Sequence, residues 1–188
     1  AMHEIGHVLG LEHSTDPTSP MYPRNNPLTN PIPTAQDIAN LRALHGLRTD
    51  RNELDKPNTL LKDATRMREG SYDGTVPLIR YGDVSVAGDI DSYRLDKVDL
   101  YNGPVTLRLR TDGLSLLQAK LTVLDRFGVE ISSAAATSPG QELVLNVPSI
   151  DRFVYVRVSA APGTNPFGIG RYAIVSTFDG INTASLQR

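Results

Sequence analysis

The sequence predicts an α+β chain in two parts: a short helical portion wrapped around an irregular loop, then an all-β antiparallel sandwich. Three observations predict it. Residues 1–46 carry two helical stretches, each closed by a glycine, Gly10 and Gly46. From about Val76 onward, apolar and polar residues alternate with period two, as in Val105, Leu107 and Leu109 against Thr106, Arg108 and Arg110. Turn-forming groups separate these runs: Asn102-Gly103-Pro104, Asp112-Gly113, Pro139-Gly140 and Pro162-Gly163.

The elements follow in order. Ala1 to Leu11 reads as the last part of a helix, with Gly10 as its stop. Glu12 to Pro33 is rich in Pro, Asn, Ser and Thr and reads as an irregular loop. Thr34 then caps a second helix, with Asp37 three residues on in the capping-box position. Ile38, Leu41, Ala43 and Leu44 give that helix an apolar stripe. Leu47 to Glu53 is a polar connection, and Asn58 to Arg66 reads as a short ordered lead-in. Leu143, Leu145 and Val147, then Val154, Val156 and Val158, repeat the strand pattern. About seven short strands with regular turns fit two packed sheets.

Composition narrows the chemistry. With 188 residues, 39% hydrophobic and 21% charged, the chain is of ordinary globular make-up. A net charge of −2 offers no bulk attraction for nucleic acid or a membrane surface. No apolar run reaches the roughly 18–20 residues of a membrane span. There is no cysteine, so disulfides, thiolate metal sites and a cysteine nucleophile are excluded.

The run His3-Glu4-Ile5-Gly6-His7-Val8-Leu9-Gly10-Leu11-Glu12-His13 carries the chemistry. Helical residues four apart share a face, so His3 and His7 present two imidazoles to one ion. Gly10 turns the chain and lets His13 return as a third ligand. Zinc favours four-coordinate sites, and three protein ligands leave one position for water, the pattern of a catalytic site. Glu4, next to the first ligand, stands where a general base belongs. The bland alternative is three histidines without a metal. It is disfavoured because three of the 4 histidines fall in the motif together with the glutamate and the glycine.

This motif resembles that of the metzincin zinc endopeptidases. Ser14-Thr15-Asp16 and Pro20-Met21-Tyr22-Pro23 resemble the matrixin branch; adamalysins typically place Asp after the third histidine, and serralysins Pro. The resemblance implies that Met21 is the Met-turn residue beneath the metal and that Asp37 braces the backbone of that turn. Matrixins usually follow the turn with Pro-x-Tyr; here Pro23 is followed by Arg24 and Asn25, which leaves the pocket wall without its tyrosine. His45 reads as a surface residue at a helix C-terminus. The implied activity is zinc-dependent hydrolysis of internal peptide bonds, with Glu4 as base. The implied setting is secreted. The chain opens directly on the motif, which reads as a cut end with the matrixin sheet and any targeting segment lying upstream. Peptidase activity is therefore expected of a longer parent protein, and these residues alone are expected to be inactive or poorly ordered near Ala1.

Asn52 to Leu60, Gly88 to Leu95, Phe153 to Val158 and Gly170-Arg171-Tyr172 resemble the bacterial pre-peptidase C-terminal domain, a sandwich appended to secreted peptidases. Some members bind collagen or other insoluble substrates, and some bind calcium. Glu53, Asp55, Asn58, Asp89 and Asp91 are the matching oxygen-bearing positions, and Ca²⁺ takes about six to eight oxygens. Thr59 stands where calcium-binding relatives carry an acidic residue. The alternative is that these carboxylates only form turns and caps. Tyr155 is open to both readings, substrate-facing or ordinary strand. The expected organisation is residues 1–47 as the C-terminal part of a matrixin-like catalytic domain, 48–75 as linker and lead-in, and 76–180 as sandwich. Expected partners are a protein or peptide substrate and, through the sandwich, extracellular matrix or an insoluble polymer. The competing reading makes the whole piece a non-catalytic binding or targeting module; a purely structural zinc site fits poorly with Glu4 in the base position.

Overall fold

In the computed structural model, described for residues 2–24, 32–46, 48–54, 56–67, 77–98, 101–163 and 167–178, the chain divides into two compact units, Ala1–Arg48 and Thr49–Arg188. Asn25, Asp55 and Val76 lie outside the described residues.

In the first unit, helix α1 spans Met2–Val8 and helix α2 spans Ala35–His45. Helix α1 is shorter than the sequence suggested, because the Leu9 amide already bonds Gly6 O in a tighter turn and Leu11 N reaches back to Gly6 O. Gly10 follows at φ +88°, a conformation that only glycine adopts cheaply. Thr34 and Asp37 form the expected capping box: the Thr34 side chain accepts from Asp37 N, and the Asp37 carboxylate accepts from Thr34 N at 2.8 Å. The expected apolar stripe of α2 is not buried. Ile38 and Leu44 are exposed, and the residue that α2 buries is Asp37. Burial in this unit gathers instead under the loop, at Leu11, Ser19 and Met21.

The second unit holds nine strands among the described residues: β1 Thr65–Arg66, β2 Leu78–Val84, β3 Ile90–Asp96, β4 Val105–Arg110, β5 Ala119–Leu124, β6 Glu130–Ala135, β7 Leu143–Val147, β8 Phe153–Ala160 and β9 Gly170–Phe178. They form a five-stranded sheet, β1-β3-β8-β5-β6, and a four-stranded sheet, β2-β9-β4-β7. The pairing is antiparallel except at β1, which runs parallel to β3. Strand β1 falls in the stretch read as linker, as do two 3-10 turns, Arg51–Glu53 and Leu61–Asp63.

Alternation sets the layers. Leu107 and Leu109 of β4 and Ile174 of β9 face inward from one sheet, and Leu121 and Val123 of β5 with Val156 and Val158 of β8 do so from the other. All seven are fully buried in one core. Each such side chain contributes about 1.5–3 kcal/mol, which makes this core the main source of stability in the unit. The sandwich edge near β3 and β9 is different, since it buries Asp91, Tyr93 and Tyr172.

Candidate metal centres

The first candidate centre is built on α1. His3 and His7 lie four residues apart, and the Gly10 turn brings His13 round to meet them. Ring centroids are 4.7 Å apart for His3 and His7, 4.9 Å for His7 and His13, and 5.3 Å for His3 and His13. One ring nitrogen from each of the three lies within 4.8 Å of the others.

The ring nitrogens facing away from this point are fixed by backbone carbonyls. His3 Nδ1 donates to Pro20 O at 2.8 Å, and His7 Nδ1 donates to Leu11 O at 2.8 Å. A carbonyl only accepts, so in the neutral rings both protons sit on Nδ1 and both Nε2 atoms present lone pairs. Those two Nε2 atoms are 3.1 Å apart. Two lone pairs facing each other repel unless a cation lies between them. Tetrahedral zinc with about 2.0–2.1 Å bonds would hold two nitrogens about 3.3 Å apart, close to the observed spacing. The donor set therefore fits zinc, and the Nδ1 bonds are the tautomer-fixing outer contacts that imidazole ligands need. Glu4, the next residue after His3, is exposed on α1.

Against Gly6 of α1 lies Met21, 1% exposed. Gly6 makes the close approach possible: a Cβ there would lie 2.2 Å from Met21 Sδ. The Met21 turn is tied back by Ser14 N to Met21 O at 2.9 Å. Asp37 braces it through an intermediary that sequence reasoning missed. Ser19 Oγ donates to both Asp37 oxygens at 2.8 and 3.0 Å and accepts from Met21 N at 2.9 Å. A serine two residues before the methionine was the only signal available. Nearby, Asp16 is held below the usual carboxylate range by bonds from Thr18 N and Thr18 Oγ1. His45 is not part of the cluster; its Nε2 donates to Leu9 O at 2.7 Å.

The second candidate centre belongs to the other unit. Carboxylate oxygens of Glu53, Asp89 and Asp91 lie within 4.8 Å of one another. Asn58 is fully buried beside them. With its amide nitrogen turned toward them it donates to Asp91 Oδ1 at 3.2 Å and Glu53 Oε1 at 3.1 Å, whereas a shared cation would call for its oxygen there. Burial, with Asp50, Asp89 and Glu53 adding like charge, pushes Asp91 up to about 8, although a hydrogen bond from Tyr172 pulls the other way. Burial likewise raises Glu53. Tyr172 OH donates to Asp91 Oδ2 at 2.5 Å, and the Tyr93 and Tyr172 hydroxyls are 2.8 Å apart. Neither tyrosine was read from sequence as part of this site. Asp89 also accepts from Ser85 N at 2.7 Å, so a turn-forming role and a ligand role coexist in one residue. Of the positions expected here, Glu53, Asn58, Asp89 and Asp91 converge, and Asp55 lies outside the described residues. Tyr155 is half-buried, its ring 5.3 Å from that of Phe153.

Residues 1–46 match the Matrixin family model. Over 48 residues the chain is 50% identical to Metalloendoproteinase 1 of Glycine max, covering 25% of this chain and 16% of that protein. Over 87 residues it is 37% identical to Metalloendoproteinase 1-MMP of Arabidopsis thaliana, covering 42% and 23%. The chain thus spans less than a quarter of the length of these relatives. Among solved structures, it is similar to the pre-peptidase C-terminal domain of a collagenase from Bacillus anthracis at a TM-score of 0.41 and 13% identity, over 61% of this chain and 94% of that one. At those values the sandwich assignment stands on the strand pairing itself. The N-terminal segment, residues 1–46, is thus similar to matrixins.

Proposed function

We propose that the protein is a secreted zinc-dependent endopeptidase in which His3, His7 and His13 hold the metal and Glu4 is the general base. The observation that carries this reading is the pair of Nε2 atoms 3.1 Å apart, each with its Nδ1 proton committed to a carbonyl. Zinc, when bound, supplies Lewis acidity and a lowered pKa for water. The chain does the rest. Pro20 O and Leu11 O keep the imidazoles in one tautomer. Met21, wedged against Gly6, gives the cluster an apolar floor. Glu4 takes a proton from the attacking water and delivers it to the leaving amine. The substrate is a protein or peptide. Replacing Glu4 by Gln keeps shape and removes the base. In the longer parent protein, zinc content is expected to stay at one per chain while turnover falls about 10²–10⁴-fold; unchanged peptidase turnover at full zinc occupancy contradicts the role of Glu4.

A second reading concerns the sandwich and complements the first. We propose that Glu53, Asn58, Asp89 and Asp91 bind Ca²⁺ and that this unit is a substrate-binding or targeting module for an insoluble extracellular polymer. The convergence of three carboxylates beside buried Asn58 supports the calcium part. Calcium is expected to raise the melting temperature of this unit, in proportion to its binding free energy. Asp91→Asn is expected to abolish that rise, and a rise preserved in the variant rejects the ligand set.

A further inference from the structure

We infer that His45 is a positioning residue for the three-histidine centre, locking the turn that delivers His13. The inference rests on the zinc reading of His3, His7 and His13. Five residues, Val8 to Glu12, separate the second ligand from the third. They must reverse the chain direction and hold it there. The amide donors of the turn are satisfied by α1 itself: Leu9 N bonds Ile5 O and Gly6 O, Gly10 N bonds His7 O, and Leu11 N bonds Gly6 O. The carbonyls are used differently. Leu11 O accepts from the ligand His7, and Leu9 O accepts from His45 at 2.7 Å, across 36 residues of sequence.

That bond joins the turn to a separate helix. The neighbouring residue of α2 contributes as well, since Leu44 Cδ1 lies 3.4 Å from where a Cβ on Gly10 would stand. At its other end, α2 holds Asp37 against Ser19 and through it the Met21 amide. An 11-residue helix is about 16 Å long and stiff. Helix α2 therefore fixes two parts of the centre relative to each other: the methionine floor through Asp37, and the turn between ligands through His45. Its low burial of apolar residues agrees with this role, because polar bonds at its ends fasten it.

The contribution works through order. With the Leu9 carbonyl released, residues between the second and third ligand sample more conformations, and metal binding must then restrict them. Groups that bond a ligand directly change metal affinity by about 10–100-fold when removed. His45 acts one residue further out, and its bond is exposed, so a smaller effect of about threefold to tenfold is expected.

The experiment measures zinc affinity of the full chain by chelator competition, together with visible absorption of the cobalt-substituted form. It compares His45→Ala, His45→Gln and His7→Ala with the parent sequence. His45→Ala is expected to weaken zinc about threefold to tenfold, to alter the cobalt bands, and to speed amide exchange at Gly10 and Leu11. Gln places an amide nitrogen near the position of Nε2, so His45→Gln is expected to recover affinity and spectrum. Parental values in His45→Ala overturn the inference, and so does a His45→Gln variant as impaired as His45→Ala. His7→Ala separates the two levels. If it retains parental zinc affinity, the three-histidine reading itself fails; if it loses zinc while His45→Ala matches the parent, only the role of His45 fails.

Discussion

At the scale of single residues, the centre depends on where protons and methyl groups are not. Nδ1 protons on His3 and His7 are spent on Pro20 O and Leu11 O, which leaves both Nε2 lone pairs aimed at one place. The absence of a side chain at position 6 matters as much. Gly6 is buried in α1, and an added methyl would overlap Met21 Sδ, itself almost fully enclosed. Gly6→Ala is therefore expected to destabilise the first unit by about 1–3 kcal/mol and to displace the floor under the histidines. Thermal melting with zinc titration checks this; an unchanged melt with unchanged zinc affinity contradicts the packing argument. The convergence of the three histidines was legible in the sequence because helical spacing converts directly into distance, and a glycine marks the turn. Ser19 and the Leu9 bond of His45 were not. Both depend on α2 returning to the loop from about 18 to 36 residues away, and no local pattern encodes that return.

At the scale of elements, caps and alternation were readable, and partners were not. The capping box of α2 was evident from Thr34 and Asp37, yet the same carboxylate also receives Ser19. The apolar stripe predicted for α2 is exposed, because this helix is fastened at its ends and no described element covers its face. In the sandwich, the alternation of β4, β7 and β8 gave the buried faces. The order β1-β3-β8-β5-β6 depends on which distant strands meet, which period two does not reveal. A charged edge is also built there, and its pH dependence follows. Burial pushes Asp91 up to about 8 in the folded unit, against 3.8 for the ordinary carboxyl. Between those values the folded state holds a proton that the unfolded state has lost, so stability falls as pH rises through this window. Without calcium, the second unit is expected to melt lower at pH 8 than at pH 5. Bound Ca²⁺ favours the carboxylate and is expected to shrink or reverse that difference. A calcium-free melt that rises steadily from pH 5 to pH 8 contradicts the burial argument.

At the scale of the whole molecule, the chain joins two units with different chemistry. The first has nitrogen donors and little apolar burial, whereas the second has oxygen donors beside a continuous core. Imidazole suits zinc, and carboxylate with amide oxygen suits calcium, so under the proposed reading donor type would direct each ion to its own unit. Division into two parts was legible from the change in periodicity along the chain. An ordered lead-in over Asn58 to Arg66 was legible too, but the turns and strand within 50–66 were not, because their bonds are made to β2 and β3, as in Asp83 N to Asp50 Oδ2 at 3.0 Å and Ser92 N to Asn58 O at 3.1 Å. The central claim is that His3, His7 and His13 share one zinc ion. X-ray absorption at the zinc edge of the chain loaded with one equivalent tests it most directly. Three imidazole nitrogens at about 2.0–2.1 Å, falling to two in His13→Ala, is the predicted result. A first shell of fewer than three imidazoles in the parent chain, or a shell unchanged by His13→Ala, would contradict it.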